Sequence, residues 1–163
     1  MQQVKILCHV LEDDDAIIMV LKEQLLINEV EAVIFHNDED FLKALINNVH
    51  LCVIDFSPTT ITSRNGTDLT RIVVDKYEDC KVIVITGLNS NVHEECEQII
   101  NFFHVGGFRW LQKDNPHFIS VFTKYVQQAI HIIKKNLALK KIMQDNTGSV
   151  IRDRPEKLSP PTP

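Results

Sequence analysis

Glu12, Asp13, Asp14 and Asp15 form an unbroken acidic run directly after the apolar stretch 4–11 (VKILCHVL). Asp55 closes a second apolar stretch, 51–55 (LCVID). Thr86 and Gly87 follow a third, and Lys113 stands just past a fourth that ends at Leu111. Brought together, Glu12, Asp13 and Asp55 would repel one another and could not all stay ionised unaided. A hard divalent cation relieves that repulsion, and carboxylate oxygens with water are what Mg²⁺ prefers. Lys113 adds a fixed positive charge. Such a set suits a carboxylate that accepts a phosphoryl group, with Asp55 as the nucleophile. Mg²⁺ and Lys113 would neutralise charge on the equatorial oxygens, and the Thr86 hydroxyl can donate a hydrogen bond to one of them.

These residues need elements that bring them to one place. Strand-like runs at 4–11, 31–35, 51–55, 82–85 and 108–111 are short and almost wholly apolar. Helical spacing separates them. Ile17, Leu21 and Leu25 share one face of a first helix. Asn37 or Asp38 caps a second over Phe41, Leu42, Leu45 and Ile46. Asn65-Gly66 opens a third with Leu69, Ile72 and Val73. A fourth, 92–104, carries Ile99, Ile100 and Phe103 and stops at Gly106-Gly107. Asn115-Pro116 starts a fifth, with Phe118, Phe122, Tyr125, Ala129 and Ile132 on one face, able to continue through Lys141. Strands alternating with helices predict an α/β fold with a parallel sheet and helices on both faces. In such sheets ligands bind beyond the carboxyl ends of the strands. Glu12, Asp13, Asp55, Thr86 and Lys113 all fall at that edge.

Composition narrows the function classes. A chain of 163 residues with 44% hydrophobic content suits one domain with an appendage. Residues 1–133 hold 10 basic and 19 acidic side chains, net −9, and residues 134–163 hold 7 and 3, net +4. An acidic body is a poor grip for nucleic acid, so no specific nucleic-acid binding is expected. Cys8, Cys52, Cys80 and Cys96 show no CxxC spacing, which gives zinc no support. Cys8 and Cys52 read as reduced, buried thiols. The start is no signal peptide and no run reaches membrane-helix length, so a cytoplasmic protein without membrane contact is expected.

The segments VLEDDDAI (10–17), LCVIDF (51–56), IVITG (83–87) and GGFRWLQKDN (106–115) together resemble the receiver domain of two-component response regulators. The resemblance spans residues 4–130 and implies a flavodoxin-like (CheY-like) three-layer sandwich with strand order 2-1-3-4-5. It further implies that Glu12 and Asp13 are the metal-binding acidic pair and that Asp55 is the phosphoacceptor. The Ser57 backbone carbonyl matches a metal ligand, Thr86 the switch hydroxyl and Lys113 the conserved-type lysine. Trp110 matches the aromatic switch position, usually Tyr or Phe, and reads equally as a core residue. The implied cofactor is Mg²⁺. The implied partners are a sensor histidine kinase or phosphotransfer protein and a downstream target, or an output domain absent from this chain. Signalling would run through the fourth helix, fifth strand and fifth helix. Apart from its own phosphorylation and dephosphorylation, no enzyme activity is expected.

Several residues depart from that pattern. Lys113-Asp114 stands where Lys-Pro is usual, Pro58 comes early, residues 59–64 lengthen the following loop, and Gly87 replaces the usual small Ala. They motivate an alternative, a receiver-like interaction module that works without phosphorylation. A flavin-type cofactor carrier fits poorly, because four acids stand where a Gly-rich phosphate loop would follow the first strand. Three segments result: a receiver over 1–131, a helical extension over 132–145, and a disordered tail or linker over 146–163. Ile132, Leu139 and Met143, with Asn136 between, follow a short heptad-like spacing that allows a homodimer.

Overall fold

The computed structural model describes residues 5–46, 48–56, 64–87 and 92–149. Along the chain run β1 (Ile6–Leu11), α1 (Asp15–Ile27), β2 (Val30–Phe35), α2 (Asp38–Ala44), β3 (Leu51–Asp55), α3 (Gly66–Lys76), β4 (Lys81–Thr86), α4 (Val92–His104), β5 (Arg109–Gln112) and α5 (Phe118–Ser149). The strands form one parallel sheet in the order β2-β1-β3-β4-β5. This is the expected flavodoxin-like sandwich.

Alternation along each strand sorts the core into two layers. Cys8, Val10, Leu51, Val53, Ile83, Ile85 and Leu111 face α1 and α5, where they meet Leu21, Leu25, Phe122, Val126 and Ala129. Leu11, Cys52, Ile54, Val82 and Val84 face α2, α3 and α4, where they meet Phe41, Leu69, Val73 and Phe102. Both sheet faces are covered, which is why the strands read as unbroken apolar runs. Cys8, Cys52 and Cys80 are buried free thiols, and Cys96 is exposed.

Caps sit where short polar side chains precede the helices. Asp14 caps α1, its carboxylate accepting from the Ala16 and Ile17 N–H groups at 2.8 and 3.3 Å. Asn37, rather than Asp38, caps α2. Asn65 and Asp68 form a reciprocal capping box on α3. Gly66 lets α3 start against β3, since a Cβ there would lie 3.0 Å from the Phe56 Cα.

Several helix faces differ from expectation. On α1 Ile18 rather than Ile17 joins Leu21 and Leu25 in the buried line, and on α3 Ile72 is exposed beside buried Leu69 and Val73. The second helix stops at Ala44, so Leu45 still reaches the core while Ile46 points outward at 81% exposure. The fourth helix seats Phe102 and leaves Ile100 and Phe103 exposed. Gly107 explains that roll: the Phe102 ring occupies the space where a Cβ would lie, 2.3 Å from it. On α5 the buried line is Phe118, Phe122, Val126, Ala129 and Ile133, with Tyr125 and Ile132 at its border.

The extension of α5 is joined to the body. Ile133 is buried, Leu137 packs against the core, Asn136 donates to Asp79 Oδ1 at 3.0 Å, and Lys140 pairs with Asp79 Oδ2. Leu139 and Met143 of the heptad-like spacing are exposed. The helix runs to Ser149, four residues beyond the expected limit at 145, because each further residue needs only one more i→i−4 bond once the helix exists. Residues 150–163 of the expected tail lie outside the described residues.

Candidate functional site

The acidic site is assembled by the period-two geometry of the strands. Val10, Val53 and Leu111 share one core layer, and Glu12, Asp55 and Lys113 each stand two residues further along. Side chains that follow the same parity at adjacent strand ends converge. Oxygen atoms of Glu12, Asp13 and Asp55 lie within 4.8 Å of one another. Glu12 and Asp55 are buried and Asp13 is half-buried.

Lys113 spans two of these acids. Its Nζ donates to Glu12 Oε1 at 3.0 Å and lies 2.8 Å from Oε2 and 3.3 Å from Asp55 Oδ2. The backbone at Glu12 locks the carboxylate further, as the Asp13 and Asp14 N–H groups donate to Oε1 at 3.1 and 3.0 Å. Burial pushes the Glu12 carboxyl above its ordinary value, against the opposing pull of Lys113 and the Asp14 N–H. Burial alone would push the Lys113 ammonium down. Its hydrogen bonds and charge interactions with Glu12 and Asp55 outweigh that and hold it above the usual lysine value.

Backbone bonds fix the neighbouring strand ends. The Lys113 N–H donates to the Thr86 carbonyl at 2.7 Å, the Phe56 N–H to the Ile85 carbonyl at 2.8 Å, and the Glu12 N–H to the Phe35 carbonyl at 3.1 Å. Thr86 is buried at the end of β4. Trp110 packs its ring on Phe56, immediately after Asp55, and on Phe102 of α4, with centroids 5.1 and 5.6 Å away. Ser57 lies outside the described residues.

The donor set fits a hard divalent cation. Glu12 Oε2 is buried and faces the Lys113 Nζ at 2.8 Å, so this oxygen already meets a cation. Asp13 and Asp55 add oxygen atoms within bridging reach, so the ligands this cluster offers among the described residues are all carboxylates.

Two further features had no signal in the sequence. The Gln112 side chain donates to Glu95, tying β5 to α4 one residue before Lys113. Asp38, the first residue of α2, is fully buried and faces Arg64, which precedes the α3 cap. A helix-start acid and a loop arginine read as solvated residues until the fold brings them together.

No protein-family model matches the chain, and no curated protein sequence matches it significantly. Solved structures do. The BeF3-activated receiver domain of DrrB aligns with a TM-score of 0.64 at 20% identity, over 78% of this chain and 99% of that one. The response regulator DrrB, a Thermotoga maritima OmpR/PhoB homologue, gives 0.64 at 20% identity, over 78% of this chain and 54% of that one. A CheY-like receiver domain protein from Methanospirillum hungatei gives 0.64 at 19% identity, over 81% and 99% of the two chains. The signal receiver domain of an HD-domain-containing protein from Pseudomonas fluorescens gives 0.67 at 16%, over 81% and 99%. This chain has the fold of response regulator receiver domains. Among the described residues, no helix is long and apolar enough to cross a membrane.

Proposed function

We propose that the chain is a two-component receiver that takes a phosphoryl group onto Asp55 from the phosphohistidine of a sensor kinase or phosphotransfer protein. The observation that carries this reading is the convergence of Glu12, Asp13 and Asp55 within 4.8 Å, with Lys113 set against Glu12 and Asp55.

The transfer balances simply. An Asp55 carboxylate oxygen attacks phosphorus, the P–N bond breaks, and its electron pair leaves with the imidazole. Asp55 then carries an acyl phosphate until water cleaves it. Glu12, Asp13, Asp55 and the Ser57 carbonyl would hold Mg²⁺, which when bound supplies charge neutralisation to the transferring group. Lys113 serves the opposite side, where its ammonium offsets charge building on the phosphoryl oxygens. The Thr86 hydroxyl donates a hydrogen bond to one of those oxygens. The job is signalling rather than turnover. The altered site is read out through α4, β5 and α5, with Trp110 and Gln112 of β5 making the contacts to α4.

Acetyl phosphate with Mg²⁺ should label the native protein and leave Asp55→Asn unlabelled, as judged by intact mass. Full labelling of the Asn variant would overturn the assignment. The phosphorylation-independent module is favoured instead by a native protein that takes no label and whose Trp110 fluorescence ignores Mg²⁺.

A further inference from the structure

The Asp38–Arg64 pair stands at the same edge of the sheet as the acidic site. Asp38 follows β2 and Arg64 follows β3, and in the sheet β1 lies between those strands. A bond from Arg64 to Asp38 therefore crosses the end of β1, where Glu12 and Asp13 stand. Arg64 is also tied close to the phosphoacceptor strand, because the Gly66 N–H donates to the carbonyl of Phe56 at 2.9 Å. Lys113 approaches from the other side, through β4 and β5.

The pair itself is incomplete. Arg64 Nη1 is 3.4 Å from Asp38 Oδ2, a long contact, while Asp38 Oδ1 is buried with no partner among the described residues. A fully buried carboxylate served by a single loose cation is costly as a device for stability alone. It does serve to orient the guanidinium. The Arg64 side chain remains 47% exposed, and Asp38 is its hydrogen-bond partner among the described residues, which leaves further N–H donors for a ligand at the mouth of the site. Lys113, by contrast, is 17% exposed and already engaged by Glu12 and Asp55.

That mouth is strongly acidic. Glu12, Asp13 and Asp55 converge there, and Asp38 follows β2 at the same edge of the sheet. A phosphodonor arrives with negative charge on its phosphoryl oxygens and must approach these carboxylates. Arginine, with its planar fork of donors, is the side chain suited to phosphate oxygens. We propose that Arg64, oriented by buried Asp38, recognises the anionic phosphodonor at the mouth of the acidic site. This role rests on the receiver reading above.

The test is the rate of labelling with acetyl phosphate at saturating Mg²⁺, followed against donor concentration. Arg64→Gln should raise the half-saturating concentration about fivefold to tenfold and leave the plateau rate within about twofold, the pattern of lost binding rather than lost chemistry. In 1 M salt, where screening acts within about 3 Å, the two proteins should converge. Arg64→Lys should recover only part of the effect. Should Arg64→Gln fail to fold with its buried carboxylate unpaired, Asp38→Asn/Arg64→Gln removes both charges and carries the same expectation. An unchanged half-saturating concentration in whichever of these variants folds overturns the role of Arg64 alone. A native protein that takes no label at all overturns the receiver reading, and this role with it.

Discussion

Replacing Asp13 by Asn should stabilise the metal-free protein and remove most of the stabilisation that Mg²⁺ gives it. The three carboxylates lie within 4.8 Å of one another, where two unit charges repel by about 3.5 kcal/mol at an effective dielectric of 20 and about 0.9 kcal/mol in water. Asp13 is half-buried and faces two such neighbours. Lys113 cancels part of the repulsion, but its contacts run to Glu12 and Asp55. A net gain of about 1–2 kcal/mol follows, or about 2–8 °C in Tm for a chain of this size. Mg²⁺ reverses the order. At a concentration 100 times its Kd the native protein gains about 2.7 kcal/mol, whereas a variant binding 100-fold more weakly gains about 0.4 kcal/mol at that same concentration. The two stability curves therefore cross as Mg²⁺ is added. Urea unfolding followed by the fluorescence of Trp110, the one tryptophan of the chain, measures both arms. The reasoning fails if Asp13→Asn is the less stable protein in EDTA, or if both proteins gain equally from Mg²⁺.

Two other perturbations probe the buried charges. Lys113→Met strands the fully buried Glu12 carboxylate and should cost about 3 kcal/mol in EDTA. Glu12→Gln/Lys113→Met should recover most of that loss, and a double variant no better than the single would refute the pairing. His9 is buried between Phe35 and Phe41, and burial holds its pKa below the ordinary 6.5. His50 is shifted the same way by burial, and its Nδ1 accepts the Leu7 N–H at 3.2 Å, which requires that nitrogen to be unprotonated. Below pH 6.5 the unfolded chain takes up protons that these folded rings refuse. Stability is thus fully present above that pH and falls as pH drops through it, by up to about 1.4 kcal/mol per pH unit for each ring. Urea midpoints between pH 7.5 and 5.5 should show the decline, with a shallower slope in His9→Leu; an unchanged slope in that variant would remove His9 from the account.

Much of the site was legible because strand parity and strand ends are local properties. Val10, Val53 and Leu111 mark the inward phase of their strands, so Glu12, Asp55 and Lys113 two residues on must converge once the strands lie parallel. Apolar runs without alternation likewise announce a sheet covered on both faces. What could not be read is set by tertiary fit. The inner face of α4 depends on one missing side chain at Gly107, which admits Phe102 and turns Phe103 outward. Asp38 looks like any acid in the first turn of a helix, and its burial follows from the position of Arg64, 26 residues away. The hold of Asp79 on Asn136 and Lys140 joins the α3–β4 turn to α5 across more than fifty residues, beyond any periodicity.

The charge arrangement also bears on how a modified Asp55 could be read at a distance. Lys113 is the counter-ion of both Glu12 and Asp55, so any group that changes the charge at Asp55 alters the forces on this one ammonium. Lys113 is not an isolated tether. Its N–H holds Thr86, the residue before it holds Glu95 of α4, and α5 begins five residues after it. Trp110, three residues earlier, rests on Phe56 beside Asp55 and on Phe102 of α4. Both polar and aromatic contacts thus leave the site along β5 and arrive on α4, while the α5 helix continues to the Asp79 contact at the far edge of the sheet. A signal that starts as a change of charge at Asp55 has these packed elements to act on, and a receiver that altered no contact of Lys113 or Trp110 would have no differential interaction with which to shift one conformer against another.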